Sequence, residues 1–205
     1  MTSNGADKWY AIGCFEQAAG VYSVLLVEIV QSDYTLTANY FTHPNPTTKS
    51  EGLTVAMAAG NVYFVASVTE GSWTGDSGFA KMLFAKMQSS DYSVLSLIVI
   101  GKTGVNDHLD EMAVSSDGSA VYLHSAHCDW DGSNHNCEGY MIKLIDTQDN
   151  IYWQKKITAS DPTNFQAIYA TDVVIHDSNV YYTFLYLGDC LIIALDSEGT
   201  ELSKK

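Results

Sequence analysis

The chain of 205 residues contains no arginine and only ten lysines, against 24 aspartates and glutamates. Its formal net charge is therefore -14 at pH 7. Nucleic acids and anionic lipids are bound through clustered cationic side chains, and a chain this poor in them is not expected to bind either. Phosphate-rich ligands are excluded as expected partners for the same reason.

Long apolar runs are also missing. The longest, Tyr92 to Ile100, contains two serines and falls far short of the roughly 20 residues that a membrane helix needs. Membrane insertion is therefore not expected. The first seven residues have neither the basic nor the apolar region of a secretory signal, which leaves a cytosolic chain or a processed or partial one.

Helical periodicity is absent, and there are only three prolines. Short runs rich in Val, Ile, Tyr, Phe and Thr alternate with turns of Gly, Asn, Asp and Ser at intervals of about ten residues. β-Branched and aromatic residues suit strands. The pattern predicts an all-β fold.

Internal repetition is the strongest pattern in the sequence. The pairs Val62-Tyr63, Val121-Tyr122 and Val180-Tyr181 are each 59 residues after the one before. Each pair begins the second strand of a predicted four-stranded unit, so the three tyrosines are expected between neighbouring sheets. A shorter copy with Lys8-Trp-Tyr10 opens the chain and supplies three strands, which predicts fifteen in all.

Repeats of 50 to 60 residues with four strands are the size of propeller blades. The chain is therefore predicted to be one β-propeller domain of about four four-stranded antiparallel blades, complete or part of a larger propeller. The expected blades are 1–43, 50–104, 108–160 and 165–205. A two-sheet sandwich is the alternative.

The middle repeat carries a resemblance. Its segments Asp110-Glu-Met-Ala-Val-Ser-Ser-Asp-Gly-Ser-Ala-Val-Tyr122, Gly139-Tyr-Met-Ile-Lys-Leu-Ile-Asp146 and Asn150-Ile-Tyr-Trp-Gln-Lys-Lys156 resemble the repeat of bacterial-type surface β-propellers. Three copies cover residues 52–205, and the middle one is close. The resemblance implies a secreted or surface-exposed binding or scaffold module whose repeat has no catalytic residues.

The loop between Cys128 and Cys137 offers the hard oxygen donors Asp129, Asp131 and Asn134 around a glycine. Such donors suit Ca²⁺, although the Glu and glycine positions of an EF-hand are missing. The alternative is a solvated hairpin tip. Zinc would need His124 and His127 to converge, but residues three apart on a strand face opposite sides. No other cofactor is expected.

Two tryptophans, Trp73 and Trp130, occupy equivalent loops beside carboxylates. Exposed aromatics at loop tips can stack on sugars, so these two are candidate glycan-binding residues. Packing against a neighbouring loop or subunit is the alternative reading.

A disulfide is predicted between Cys128 and Cys137, across a hairpin of eight intervening residues. A second is predicted between Cys14 and Cys190, which closure of the ring would bring together. That closure is similar to the way four-bladed hemopexin-like propellers join their first and last blades. Both bridges would place the protein in an oxidising compartment.

No nucleophile elbow, triad or phosphate loop is present, so an enzyme is not expected. The predicted function is a structural or assembly protein, a propeller building block of an extracellular or cell-surface coat, appendage or filament. Its partners would be copies of itself or neighbouring subunits, and its incomplete first unit would accept a strand from outside. The alternative is a lectin-like propeller that binds carbohydrate.

Overall fold

A computed structural model describes most of the chain. The described residues are 1–18, 21–41, 49–69, 80–101, 106–130, 135–145, 150–157, 169–186 and 189–205. Every regular element among them is a β-strand. No helix long and apolar enough to cross a bilayer occurs in these ranges.

The predicted fold class is confirmed. Four antiparallel sheets of four strands each follow one another along the chain, as in the blades of a propeller-like fold. The chain divides into two compact units, Met1–Gly104 and Val105–Lys205, called unit 1 and unit 2 below. Each unit holds two sheets.

Unit 1 contains sheets A and B. The strands of sheet A, in their order across the sheet, are β1 (Thr2–Ser3), β2 (Lys8–Ala18), β3 (Val21–Val30) and β4 (Leu36–Phe41). Those of sheet B are β5 (Lys49–Ala58), β6 (Asn61–Thr69), β7 (Ala80–Gln88) and β8 (Val94–Ile100).

Unit 2 contains sheets C and D. Sheet C is formed by β9 (Asn106–Val114), β10 (Ala120–Trp130), β11 (His135–Ile145) and β12 (Asn150–Ile157). Sheet D is formed by β13 (Tyr169–His176), β14 (Asn179–Tyr186), β15 (Asp189–Leu195) and β16 (Glu201–Lys204).

The predicted count of fifteen strands is wrong, because the first sheet has a short fourth strand. Thr2 and Ser3 pair with Tyr10 and Trp9 across a tight turn. In that turn the Asn4 side chain accepts hydrogen bonds from three backbone N–H groups, those of residues 6 to 8. A solvent-facing edge strand needs no apolar residues, which is why the polar start of the chain can form it.

The repeat alignment holds in the register of all four sheets. In each sheet, the tyrosine position on the second strand pairs with a residue near the end of the third strand. The pairs are Tyr10↔Glu28, Tyr63↔Lys86, Tyr122↔Lys143 and Tyr181↔Ala194. The preceding residue, Val62 in sheet B and Val180 in sheet D, lies on the other face of its sheet and is buried.

Each unit is held together by packing of one sheet face on another. In unit 1, Tyr10 and Leu26 of sheet A pack in one cluster with Val62 and Phe64 of sheet B. In unit 2, Tyr122 and Met141 of sheet C pack with four residues of sheet D, which are Val180, Tyr182, Phe184 and Ile193. Two apolar sheet faces in contact are the usual basis of a β core.

The expectation that all three repeated tyrosines lie between sheets is wrong for Tyr181. Tyr63 is fully buried and Tyr122 nearly so, but Tyr181 lies on the face of sheet D away from sheet C and is only half-buried. The buried tyrosine of sheet D is its neighbour Tyr182. The burial of the repeated position therefore depends on whether a further sheet covers that face.

We predict unequal losses of stability at these equivalent positions. Tyr63→Ala should lower the free energy of unfolding by about 3 kcal/mol or more, as other large core aromatics do. Tyr181→Ala should cost clearly less, and Ser90→Ala, at an exposed turn, should be nearly neutral. Urea unfolding followed by tryptophan fluorescence measures all three. Equal losses for the two tyrosines would contradict the assignment of the faces.

Candidate functional site

Most of the residues predicted for calcium and glycans lie outside the described part of the structure. Trp73, Asp131 and Asn134 are in undescribed segments, and only the backbone is described for Asp129 and Trp130, at the end of β10. The calcium site and the glycan site therefore stay predictions. Among the described residues, no group of three or more His, Cys, Asp or Glu side chains could hold a metal ion.

The two predicted disulfides fare differently. Cys128 and Cys137 are directly opposite each other on β10 and β11. Directly opposed residues of antiparallel strands have Cα atoms about 4.5 or 5.5 Å apart, within the range that a disulfide bridges. Cys14 and Cys190 are exposed free thiols, one in each unit, so the second predicted bridge is not in the structure.

A buried carboxylate joins sheet B to sheet A in unit 1. The Glu28 side chain, on β3, accepts hydrogen bonds from the hydroxyls of Tyr10 (3.3 Å) and Tyr92, and its Oε2 lies 3.1 Å from the Lys8 ammonium. Tyr92 comes from the turn after β7, where its backbone φ of 59° lies in the left-handed region. The turn of one sheet therefore binds to the third strand of the sheet before it.

The electrostatics of this cluster make it structural. Burial and the neighbouring Glu28 raise the pKa of Tyr10 to about 12, and the same two causes raise the pKa of Tyr92 well above its usual value. Both hydroxyls therefore stay protonated at neutral pH and act as donors to Glu28. The two hydrogen bonds to one carboxylate fasten sheet B to sheet A.

Unit 2 repeats the arrangement with the charge reversed. Lys143 occupies the position of Glu28, and its ammonium donates to the backbone oxygen of Ser197 at 2.6 Å. The Trp153 indole N–H donates to the same oxygen at 3.2 Å, and the Tyr152 hydroxyl donates to Glu198 at 2.6 Å. Ser197 and Glu198 lie in the turn after β15, so here too a turn binds to the preceding sheet.

A histidine is buried between the two sheets of unit 2. His124, on β10, has no exposed surface and meets the rings of Tyr182 and Phe184 edge-on, with centroids 5.4 and 4.2 Å away. Neither of its nitrogens has a hydrogen-bond partner of good geometry among the described residues. Burial lowers the pKa of His124 to about 3, although the Asp172 backbone acts in the opposite direction. The imidazole is therefore neutral at physiological pH.

Two groups of exposed apolar side chains among the described residues lie on the outward faces of sheets A and D. The outward face of sheet A, away from sheet B, carries Trp9, 41% exposed, and Leu36, 66% exposed. The outward face of sheet D, away from sheet C, carries Val174, Leu185 and Ile192, each more than 40% exposed. Contiguous apolar faces of this kind mark interaction surfaces.

The residues that fasten the sheets were not singled out from the sequence. Glu28 and Lys143 are charged residues within strands, and their role appears only when their register opposite the repeated tyrosine is known. A signal was nevertheless present, because the turn Gln31-Ser-Asp-Tyr34 nearly repeats Gln88-Ser-Ser-Asp-Tyr92. Tyr92 binds Glu28 of the preceding sheet, whereas Tyr34, with the same left-handed backbone, is 79% exposed.

No protein-family model matches the chain, and no curated protein sequence matches it. Among solved structures, the chain is similar to a candidate 6-phosphogluconolactonase from Bacteroides uniformis, with 13% identity and a TM-score of 0.42 over 100% of this chain and 70% of that one. It is also similar to a prolyl endopeptidase, with 8% identity and a TM-score of 0.24 over 97% and 42% of the two chains. Likenesses this low leave function to be argued from the chain itself.

We predict that Cys128 and Cys137 form a disulfide under oxidising conditions, because their opposed register allows it without movement of the backbone. Non-reducing peptide mapping should recover one cross-linked peptide pair containing both residues, while Cys14 and Cys190 react with a thiol reagent. Alkylation of all four cysteines in the native, oxidised protein would contradict the prediction.

We predict that His124 makes the protein less stable in acid. Its pKa is about 3 when folded and near 6.5 when unfolded, so only the unfolded chain takes up this proton between those values. The free energy of unfolding should therefore fall as the pH drops below 6.5, by up to about 1.4 kcal/mol per pH unit. In His124→Leu, urea unfolding at several pH values should show a flatter acid limb.

The control is His176→Gln, at an exposed histidine, which should leave the acid dependence as in the wild type. The unpartnered nitrogens of His124 also mean that His124→Leu should be no less stable at pH 7. Identical slopes for the wild type and His124→Leu between pH 4.5 and pH 6.5 would contradict the assignment.

Proposed function

We propose that the chain is a non-enzymatic assembly module, a propeller-like building block that joins copies of itself through the outward faces of sheets A and D. The single observation that carries the proposal is that sheets A and D both expose apolar side chains on their outward faces. These faces hold the positions that the repeat uses for sheet-on-sheet packing within each unit. A coat, appendage or filament outside the cell is the setting that fits such a module.

The outward face of sheet D is built to carry a further sheet. Within each unit, the tyrosine position of the first sheet faces the second: Tyr10 packs toward sheet B and Tyr122 toward sheet D. Tyr181 holds that position in sheet D and is half-buried, with the exposed Val174 directly opposite it on β13. The repeat thus presents its packing face with no sheet of unit 2 upon it.

The outward face of sheet A is built to pack on a preceding sheet. Trp9 holds the position of Val62 and Val180, which in sheets B and D face the preceding sheet of their unit. Tyr34 holds the position of Tyr92, which reaches back to the preceding sheet. Sheet A therefore has the two elements of a trailing sheet, an apolar face and a projecting tyrosine turn.

These two faces are complementary because one is a leading and the other a trailing face of the same repeat. In the proposed contact, sheet D of one copy packs on sheet A of the next. Sheet D has Ala194 at the position of Glu28 in sheet A and Lys143 in sheet C, so this contact is more apolar than those within the units. Such a contact is heterologous and propagates head to tail unless it closes. The incomplete β1, paired with β2 at only two residues, adds an edge where a strand from a neighbour could pair.

The proposal predicts that a charge on one outward face abolishes association. Leu185→Lys, at a leucine 42% exposed on sheet D, should convert the assembled protein to a monomer in light scattering coupled to size-exclusion chromatography. The matched control is Leu97→Lys, at a leucine 40% exposed on the edge strand β8 and on neither outward face. The control should assemble like the wild type, and both variants should keep the wild-type melting temperature within a few degrees.

A concentration-independent monomer for the wild type would contradict the proposal. Closure of the first sheet on the last within one chain would give such a monomer. That outcome would replace assembly by a self-contained ring.

A further inference from the structure

A groove of about 360 Å³ opens between the outermost strands of the two sheets of unit 2. β12 is the last strand on one side of sheet C, and β16 is the last strand on one side of sheet D. The floor is formed by side chains that belong to the core of the unit, and these are Met141, Ile157, Ile193 and Leu195. The rim is formed by Lys155, Lys156, Glu201 and Lys204.

The charge of this rim is opposite to that of the chain. Three of the ten lysines line the groove, in a chain that carries 24 acidic residues and no arginine. Only one carboxylate, that of Glu201, lines it with them. The groove is therefore a locally cationic surface in an acidic chain, because lysines from two strands distant in sequence meet across it.

Two of these lysines are available to a ligand. Lys156 is paired with Glu138, but Lys155 and Lys204 form no ion pair with any described residue. Lys155 is opposite Met141 in sheet C, and Lys204 is opposite Ile193 in sheet D, so both project on the faces that the two sheets turn toward each other. The Lys155 stem also passes over Gly199, where an added Cβ would lie 3.1 Å from its Cε. The two ammonium groups therefore flank an apolar floor.

The strands beside the groove are also suited to an extended ligand. β16 pairs with β15 from Ile193 to Leu195, and no described strand pairs with its other edge. All four of its residues are exposed. An open edge of this kind can hydrogen-bond a peptide in the extended conformation, and every second side chain of that peptide then faces the groove.

We propose that this groove binds an extended acidic peptide segment of another protein, in which the side chains that face the groove, every second one, are carboxylates and apolar groups in turn. The carboxylates pair with Lys155 and Lys204, and the apolar side chains lie over Ile157 and Ile193. Apolar burial supplies affinity, and the two lysines select the charge. This site is separate from the outward faces of sheets A and D.

The test uses fluorescence anisotropy and a fluorescein-labelled peptide of four Glu-Ser-Val-Ser repeats, in which glutamate and valine follow each other along one face. A second peptide with glutamine in place of glutamate has the same length and apolar content. The acidic peptide should bind the wild type at least tenfold more tightly than the glutamine peptide. The double variant Lys155→Gln/Lys204→Gln should bind it at least tenfold more weakly than the wild type.

The matched control is Lys49→Gln/Lys102→Gln, which removes the same charge from unit 1 and should change binding less than twofold. If the double variant in the groove lowers the melting temperature, the single variants Lys155→Gln and Lys204→Gln give the same comparison. Equal binding of the two peptides, or equal weakening by the control, would overturn the proposal. A third outcome would also overturn it. If Lys155→Gln/Lys204→Gln lowers the mass of the assembled protein in the absence of peptide, the groove is occupied by a second copy of the chain.

Discussion

The structure depends on the packing of one sheet on the next through a repeated position. Tyr10 and Tyr122 each begin the second strand of their sheet and turn toward the following sheet, and a valine before the tyrosine position turns toward the preceding one in sheets B and D. A strand that is apolar on both faces cannot be satisfied by one neighbour. Each sheet of this repeat therefore needs two neighbours, and the terminal sheets of any linear series are left with one face uncovered.

Polar contacts fix the orientation that apolar packing alone leaves open. In both units the turn after the third strand reaches back to the preceding sheet, where it meets Glu28 in one case and Lys143 in the other. A buried carboxylate or ammonium without such partners would be costly, so each contact penalises other arrangements of the two sheets. The exchange of an acidic for a basic residue at one position shows that the repeat keeps the contact and varies its chemistry.

The sequence was sufficient for the fold class and the repeat, because each depends on local alternation and on spacing along the chain. It was insufficient for the exposure of Tyr181, since a strand pattern shows that a face is apolar and not whether a neighbour covers it. It also missed β1, whose two residues have no apolar pattern, and the lysine groove, whose rim joins β12 to β16.

The head-to-tail contact between outward faces is the central claim, and it is tested most directly by mixing two variants that each block one face. Trp9→Lys blocks sheet A and leaves sheet D intact, whereas Leu185→Lys does the reverse. In sedimentation velocity, each variant alone should be a monomer, and an equimolar mixture should form a dimer that contains one of each and grows no further. A mixture that stays monomeric, while the wild type assembles, would contradict the claim.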